Sequence, residues 1–78
     1  MERVQRIRKI VDAEGEISIY HIMAIENIGY SYARQIVDFI VNAYPLDYGY
    51  KNVYLFKRKP VKVEEGEEKV EGDSSPPG

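Results

Sequence analysis

The chain has no cysteine, so neither a disulfide nor a thiolate-bound metal is available to it. Its single histidine, His21, cannot assemble a metal cluster by itself. It lacks any apolar run near the roughly 18 residues that a membrane helix needs, and it has no secretory signal pattern. The expectation is a soluble, cytoplasmic protein. No glycine-rich phosphate loop and no convincing carboxylate pair is present either. Ser18 and His21 are spaced to share a helical face, but Ser18 is better used as a helix cap and no nearby third residue orients the imidazole. Catalysis, a metal, a cofactor and a small-molecule ligand are therefore all unexpected.

What is present is one small domain and a tail. From Val63 the chain reads VEEGEEKVEGDSSPPG, too polar to bury the apolar surface that would offset its ordering entropy. Residues 63–78 are expected to be a disordered acidic tail and residues 1–62 the folded domain. About sixty residues is near the lower limit for a domain without covalent staples, so stability rests on a core of Ile and Val. The net charge of −2 hides a division. Residues 1–62 carry ten Lys or Arg against seven acids (+3), and the tail carries Lys69 against six acids (−5). A basic body with an acidic tail suggests a polyanionic partner; the plain alternative is a soluble surface with a solubilising tail. Abundant Ile, Val, Tyr, Lys and Glu without Cys is compatible with a thermophilic source.

Apolar spacing organises the body. Val4, Ile7, Ile10 and Val11 form one stripe of a helix from Glu2 to Ala13, which Gly15 ends. Arg3, Arg6, Arg8 and Lys9 fall mainly on its other faces, where keeping the helix soluble is the expected role, with Arg6 the best candidate for a phosphate contact. Glu16 and Ile17 form a short extended link. Ser18 caps a second helix from Ile19 to Glu26, which offers Ile19, Ile22, Met23 and Ile25 to the core. Asn27 to Tyr30 form a turn, and Ser31 is expected to cap a third helix. Ala33, Ile36, Val37, Ile40 and Val41 follow the rhythm of a buried face. Tyr32, Arg34, Gln35, Asp38 and Asn42 then face away, and Pro45 ends the helix. Beyond it the period changes: Leu46–Tyr48 and Asn52–Arg58 read as strands of a hairpin turning through Gly49, Tyr50 and Lys51. Val53 and Leu55 are assigned inward, Tyr54 and Phe56 outward, and Ile17 is placed to pair with the second strand of the hairpin.

The order of these elements, the turn NIGYS and the basic hairpin resemble the winged helix-turn-helix family. The chain is especially similar to small regulators from viruses and plasmids of thermophilic archaea. The likeness covers roughly residues 2–59 and rests on pattern. It implies an α+β fold of three helices and a small antiparallel sheet with a wing. It further implies a transcription regulator that binds double-stranded DNA sequence-specifically, with the helix at 31–43 in the major groove and the hairpin at 46–58 as wing. One position departs from the common pattern: six residues after the turn glycine stands Gln35, where an aliphatic residue is usual, and Ile36 follows.

Carried onto this sequence, the family's groove-facing positions fall on Ser31, Tyr32, Arg34, Gln35 and Asp38. Arg can donate two hydrogen bonds to guanine O6 and N7, Gln can pair with adenine N6 and N7, and a helix start can hold a phosphate. Tyr50 and Lys51 at the expected hairpin tip would reach the adjacent backbone, and Lys57 and Arg58 would extend the basic surface. Specificity from so small a body implies two copies per operator. Each assignment has a plainer counterpart: Arg34 and Asp38 as an ordinary i, i+4 ion pair, edge lysines as protection against sheet aggregation, and tyrosines that bury their rings and wet their hydroxyls. The competing functional class is a winged-helix protein–protein interaction module without direct DNA readout.

Overall fold

In the computed structural model, residues 2–59 are described; the last three residues of the expected domain and the expected tail at 63–78 lie outside them. Helix α1 (Glu2–Glu14) buries Val4, Ile7 and Val11. It stops at Gly15, whose φ of +94° is the left-handed conformation that a side chain would strain. The Gly15 carbonyl accepts from Lys57 N–H at 2.9 Å, which steers the chain directly into strand β1 (Glu16–Ser18).

Strand β1 pairs antiparallel with β3 (Tyr54–Lys57), and β3 pairs antiparallel with β2 (Tyr48–Lys51), so the sheet order is β1-β3-β2. Ile17 stands opposite Leu55, and both are buried; this cross-strand pair sets the register, because a one-residue slip would turn both toward water. The expected closure of a three-stranded sheet by Ile17 is thus observed.

Ser18 caps helix α2 (Ile19–Glu26), its hydroxyl accepting from the His21 backbone N–H at 3.0 Å. Asn27, at φ 55°, ends α2 in the left-handed region. Helix α3 (Tyr30–Ala43) then presents Ala33, Ile36, Val37 and Ile40 to the core. These four meet Val4, Ile7 and Val11 of α1, Ile19 and Ile22 of α2, and Ile17, Tyr48 and Leu55 of the sheet in one cluster. At about 1.5–3 kcal/mol for each large apolar side chain removed from water, this single cluster is the main source of stability.

Four expectations need correction. Ser31 is not the cap of α3. The Gly29 carbonyl takes the Ala33 N–H at 3.0 Å, so the helix starts at Tyr30 and its N-cap is Gly29, two residues before Ser31, with no side-chain acceptor. Ile25 is not core: it is 43% exposed while Glu26 is 8% exposed, because two arginines of α1 draw the carboxylate inward. The first hairpin strand does not start at Leu46. The Tyr44 carbonyl accepts from both Asp47 and Tyr48 N–H, which folds 45–47 into a turn and delays β2 to Tyr48. Finally, the hairpin does not turn at Gly49–Lys51. Those residues are strand, Gly49 facing Phe56, and the turn is Asn52–Val53 with Asn52 at φ 60°. Gly49 is needed for space rather than for a bend, since a Cβ there would come within 2.6 Å of the Phe56 ring.

Candidate nucleic-acid interface

The outer face of α3 follows from its inner one. With Ala33, Ile36, Val37 and Ile40 buried, a period of about 3.6 residues places Ser31, Gln35, Asp38 and Asn42 opposite the core, and all four are exposed. Gln35 therefore points to water, and Ile36, 3% exposed, takes the buried place next to it. Tyr32 and Arg34 lie on opposite flanks of this face, roughly 160° apart around the helix. Tyr32, 45% exposed, leans toward α1, where the Arg3 guanidinium sits 5.2 Å from its ring centroid.

Arg34 occupies the other flank, toward the sheet. Its Nε donates to Asp38 Oδ1 at 3.1 Å, and its guanidinium lies 4.5 Å from the centroid of the Tyr50 ring. The plain i, i+4 ion pair is formed, then, and a contact to the hairpin is added to it. Asp38 first and the Tyr30 hydroxyl second raise the guanidinium pKa above its ordinary value, so the charge is permanent. Tyr50 is half-buried and packs on the core; burial is the main cause that pushes its hydroxyl pKa up.

Tyr50 is consequently not at a hairpin tip, as expected, but mid-strand opposite Leu55. Lys51 is exposed at the end of β2, immediately before the turn, and enters no ion pair among the described residues. Lys57 and Arg58 do not extend a surface beyond the tip; they sit at the opposite end of the hairpin and are engaged there. Lys57 Nζ donates to Asp12 Oδ1 at 3.0 Å. Arg58 Nε donates to the Pro45 carbonyl at 3.0 Å and to the Tyr48 carbonyl at 3.2 Å. Of the candidate residues, the structure brings together Ser31, Arg34, Gln35, Asp38 and Tyr50, places Tyr32 on the opposite flank of α3 against Arg3, leaves Lys51 at the adjoining hairpin end, and separates Lys57 and Arg58 from them.

Two polar clusters escape detection in the sequence. Glu26, its side chain 4% exposed, accepts from Arg3 Nε at 2.9 Å, Arg6 Nε at 3.0 Å and Arg6 Nη2 at 2.6 Å. Arg6 and then Arg3 hold its carboxyl at about 2, against an ordinary 4.5. Arg3 and Arg6 are therefore committed to clamping α1 to α2 rather than merely to solubility. In the second cluster Tyr48, buried within the core, donates its hydroxyl to Asp12 Oδ1 at 2.6 Å and accepts from Arg8 Nε at 3.3 Å. The Tyr48 hydroxyl, with Lys57 beside it, lowers the Asp12 pKa. Partners in these clusters are 20 to 45 residues apart, so no local spacing announces them.

An open depression of about 460 Å³ over α1 is lined by Glu2, Gln5, Arg6 and Lys9; of these only Arg6 is a sequence candidate for a phosphate contact, and it is engaged by Glu26. Among the described residues no group of three or more His, Cys, Asp or Glu is arranged to hold a metal ion, and no helix is long and apolar enough to cross a membrane. Comparison with protein families, with curated proteins and with solved structures finds no match to this chain.

Proposed function

We propose that this chain is a sequence-specific double-stranded DNA-binding domain of the winged helix-turn-helix type and acts as a transcription regulator. The observation that carries the reading is the outer face of α3. Ser31, Gln35, Asp38 and Asn42 are exposed there, and Arg34 ties the flank of that face to the β2–β3 hairpin. An element order α1-β1-α2-α3-β2-β3 with sheet order β1-β3-β2 fits a fold in which α3 enters a major groove and the hairpin serves as wing. The start of α3 also suits a backbone phosphate: with no side chain capping it, its first N–H groups are left for an external acceptor. In this reading the groove-facing frame runs through Gln35, and Ile36 takes the buried role that the family's common pattern gives to the preceding residue.

The exposed apolar side chains favour a second reading, a winged-helix docking module for another protein. Phe39 is 50% and Leu46 is 88% exposed, one on α3 and one just past its end, and neither suits a phosphate. Anisotropy titrations with duplex DNA at two salt concentrations separate the two. DNA binding that weakens with salt, with Arg34→Ala lowering discrimination among sequences, supports the first. Lys51→Ala should weaken all duplexes about equally and reduce the salt slope by about one unit. No binding at low salt refutes it and leaves the docking module. A selective binder with this little surface is expected to use two copies per operator.

A further inference from the structure

Arg34 is not simply an exposed cation. An arginine has three donor positions at its head: Nε on the side and the two Nη groups at the end. Here the side position is taken, Nε donating to Asp38 Oδ1 at 3.1 Å, and one face of the plane is covered by the Tyr50 ring at 4.5 Å. The head is thus constrained by Asp38 and the Tyr30 hydroxyl on its own helix and by Tyr50 on the hairpin. The side chain nevertheless remains 44% exposed, and beyond Asp38 and Tyr50 the further group near its head is the Tyr30 hydroxyl, which can exchange for a base acceptor. An end-on pair of N–H donors in a fixed plane is the geometry that grips guanine through O6 and N7 together.

Resting on the proposed DNA-binding reading, we infer that Arg34 is the guanine-reading residue of this surface and that Asp38 and Tyr50 are the residues that position it. The role of Asp38 has two parts. By holding Nε it limits the rotamers that an unrestrained arginine would give up on binding, which favours the one base whose acceptors match the end-on fork. By carrying a negative charge on the face that would meet the DNA, it repels phosphates within roughly one Debye length, about 8 Å at physiological salt, and so weakens contacts that have no guanine to offer. Asp38 therefore lowers affinity for arbitrary DNA while raising discrimination. A merely structural ion pair would do neither. Tyr50 acts through its ring, so its hydroxyl is dispensable, and through it the wing and the reading helix are held in one relative placement.

The test uses the full chain and a duplex selected by it from a random-sequence pool, in which each guanine is replaced in turn by 7-deazaguanine, which lacks only the N7 acceptor. One replacement should weaken wild-type binding by about five- to tenfold, the lower end of what a bidentate base contact contributes, and should cost Arg34→Ala nothing. Asp38→Ala, which removes both the acceptor and the charge, should shrink that penalty to about twofold or less while binding an unselected duplex more tightly than wild type does. Tyr50→Phe should keep the full penalty and Tyr50→Leu should lose most of it, with far-UV circular dichroism confirming that each variant is folded. The inference is overturned if no guanine replacement affects wild type, or if Asp38→Ala leaves both the penalty and the affinity for unselected DNA unchanged. Either result leaves DNA binding itself intact. Absence of binding to every duplex at low salt overturns the inference together with the function it rests on.

Discussion

Replacing Glu26 by Gln removes one charge from the junction of α1 and α2 while keeping the shape of the side chain. The carboxylate is 4% exposed and bonded to Arg3 and Arg6, which are themselves 31% and 53% exposed. Its folded pKa lies at about 2, against an ordinary 4.5, a difference equivalent to about 3 kcal/mol at neutral pH. Water around the two guanidinium groups screens the interaction, so the expected loss is smaller, about 1–2 kcal/mol. For a domain of this size that lowers Tm by about 5–15 °C. Because the folded pKa is depressed, the stabilisation is fully present above the ordinary carboxyl value of 4.5. It falls away as pH drops toward about 2. Thermal unfolding followed by far-UV circular dichroism should therefore show a wide gap between wild type and Glu26→Gln at pH 7 and little gap near pH 2. Arg6→Ala should also lower Tm, and the double variant should lose less than the sum of the two. Equal Tm values at pH 7, or a gap of constant size down to pH 2, would refute this account of the cluster.

Three further outcomes follow from other contacts. Tyr48→Phe keeps the buried ring but removes the donor to Asp12, and should cost about 1–2 kcal/mol in urea unfolding; no change would mean that Asp12 finds equal solvation without it. Gly49→Ala places a Cβ at 2.6 Å from the Phe56 ring and should destabilise by about 1–3 kcal/mol, most of which should disappear when Phe56 is also changed to Ala. Leu46→Ser, at a side chain 88% exposed, should leave Tm within about 1 °C or so, in keeping with surface substitutions that cost under about 0.5 kcal/mol. If the second functional reading is right, the same change should abolish capture of a protein partner without altering DNA binding.

The comparison of sequence with structure divides along a physical line. The buried faces of α1 and α3 were legible because they depend on residues three and four apart: Val4, Ile7 and Val11 in α1, and Ala33, Ile36, Val37 and Ile40 in α3, all buried. Ser18 and Gly15 were legible as cap and stop for the same reason, since each acts on the chain within a few residues of itself. The hairpin was harder. Both Gly49 and Asn52 can bend a chain, and the choice between them rests on Phe56 lying across Gly49, a contact between strands. Ser31 and Gly29 are likewise both acceptable caps by residue type, and the hydrogen bond from Ala33 to the Gly29 carbonyl decides between them.

For the candidate site, the sequence by itself determined which α3 side chains are free of core duty, because removing the buried positions of a helix leaves a definite outer face. It also determined that Arg34 and Asp38 are within reach of each other, four residues apart on one helix. Only the tertiary structure decided what the charges do. Lys57 and Arg58 carry the residue type of a DNA contact, yet they are spent on Asp12 and on backbone carbonyls. Arg3 and Arg6 are spent on Glu26. Tyr50, assigned to a loop tip, became the surface against which Arg34 lies. Charge composition counts ionic groups and says nothing of which are already paired. Pairing across 20 or more residues is set by how helices and strands pack, and that packing is decided by the core.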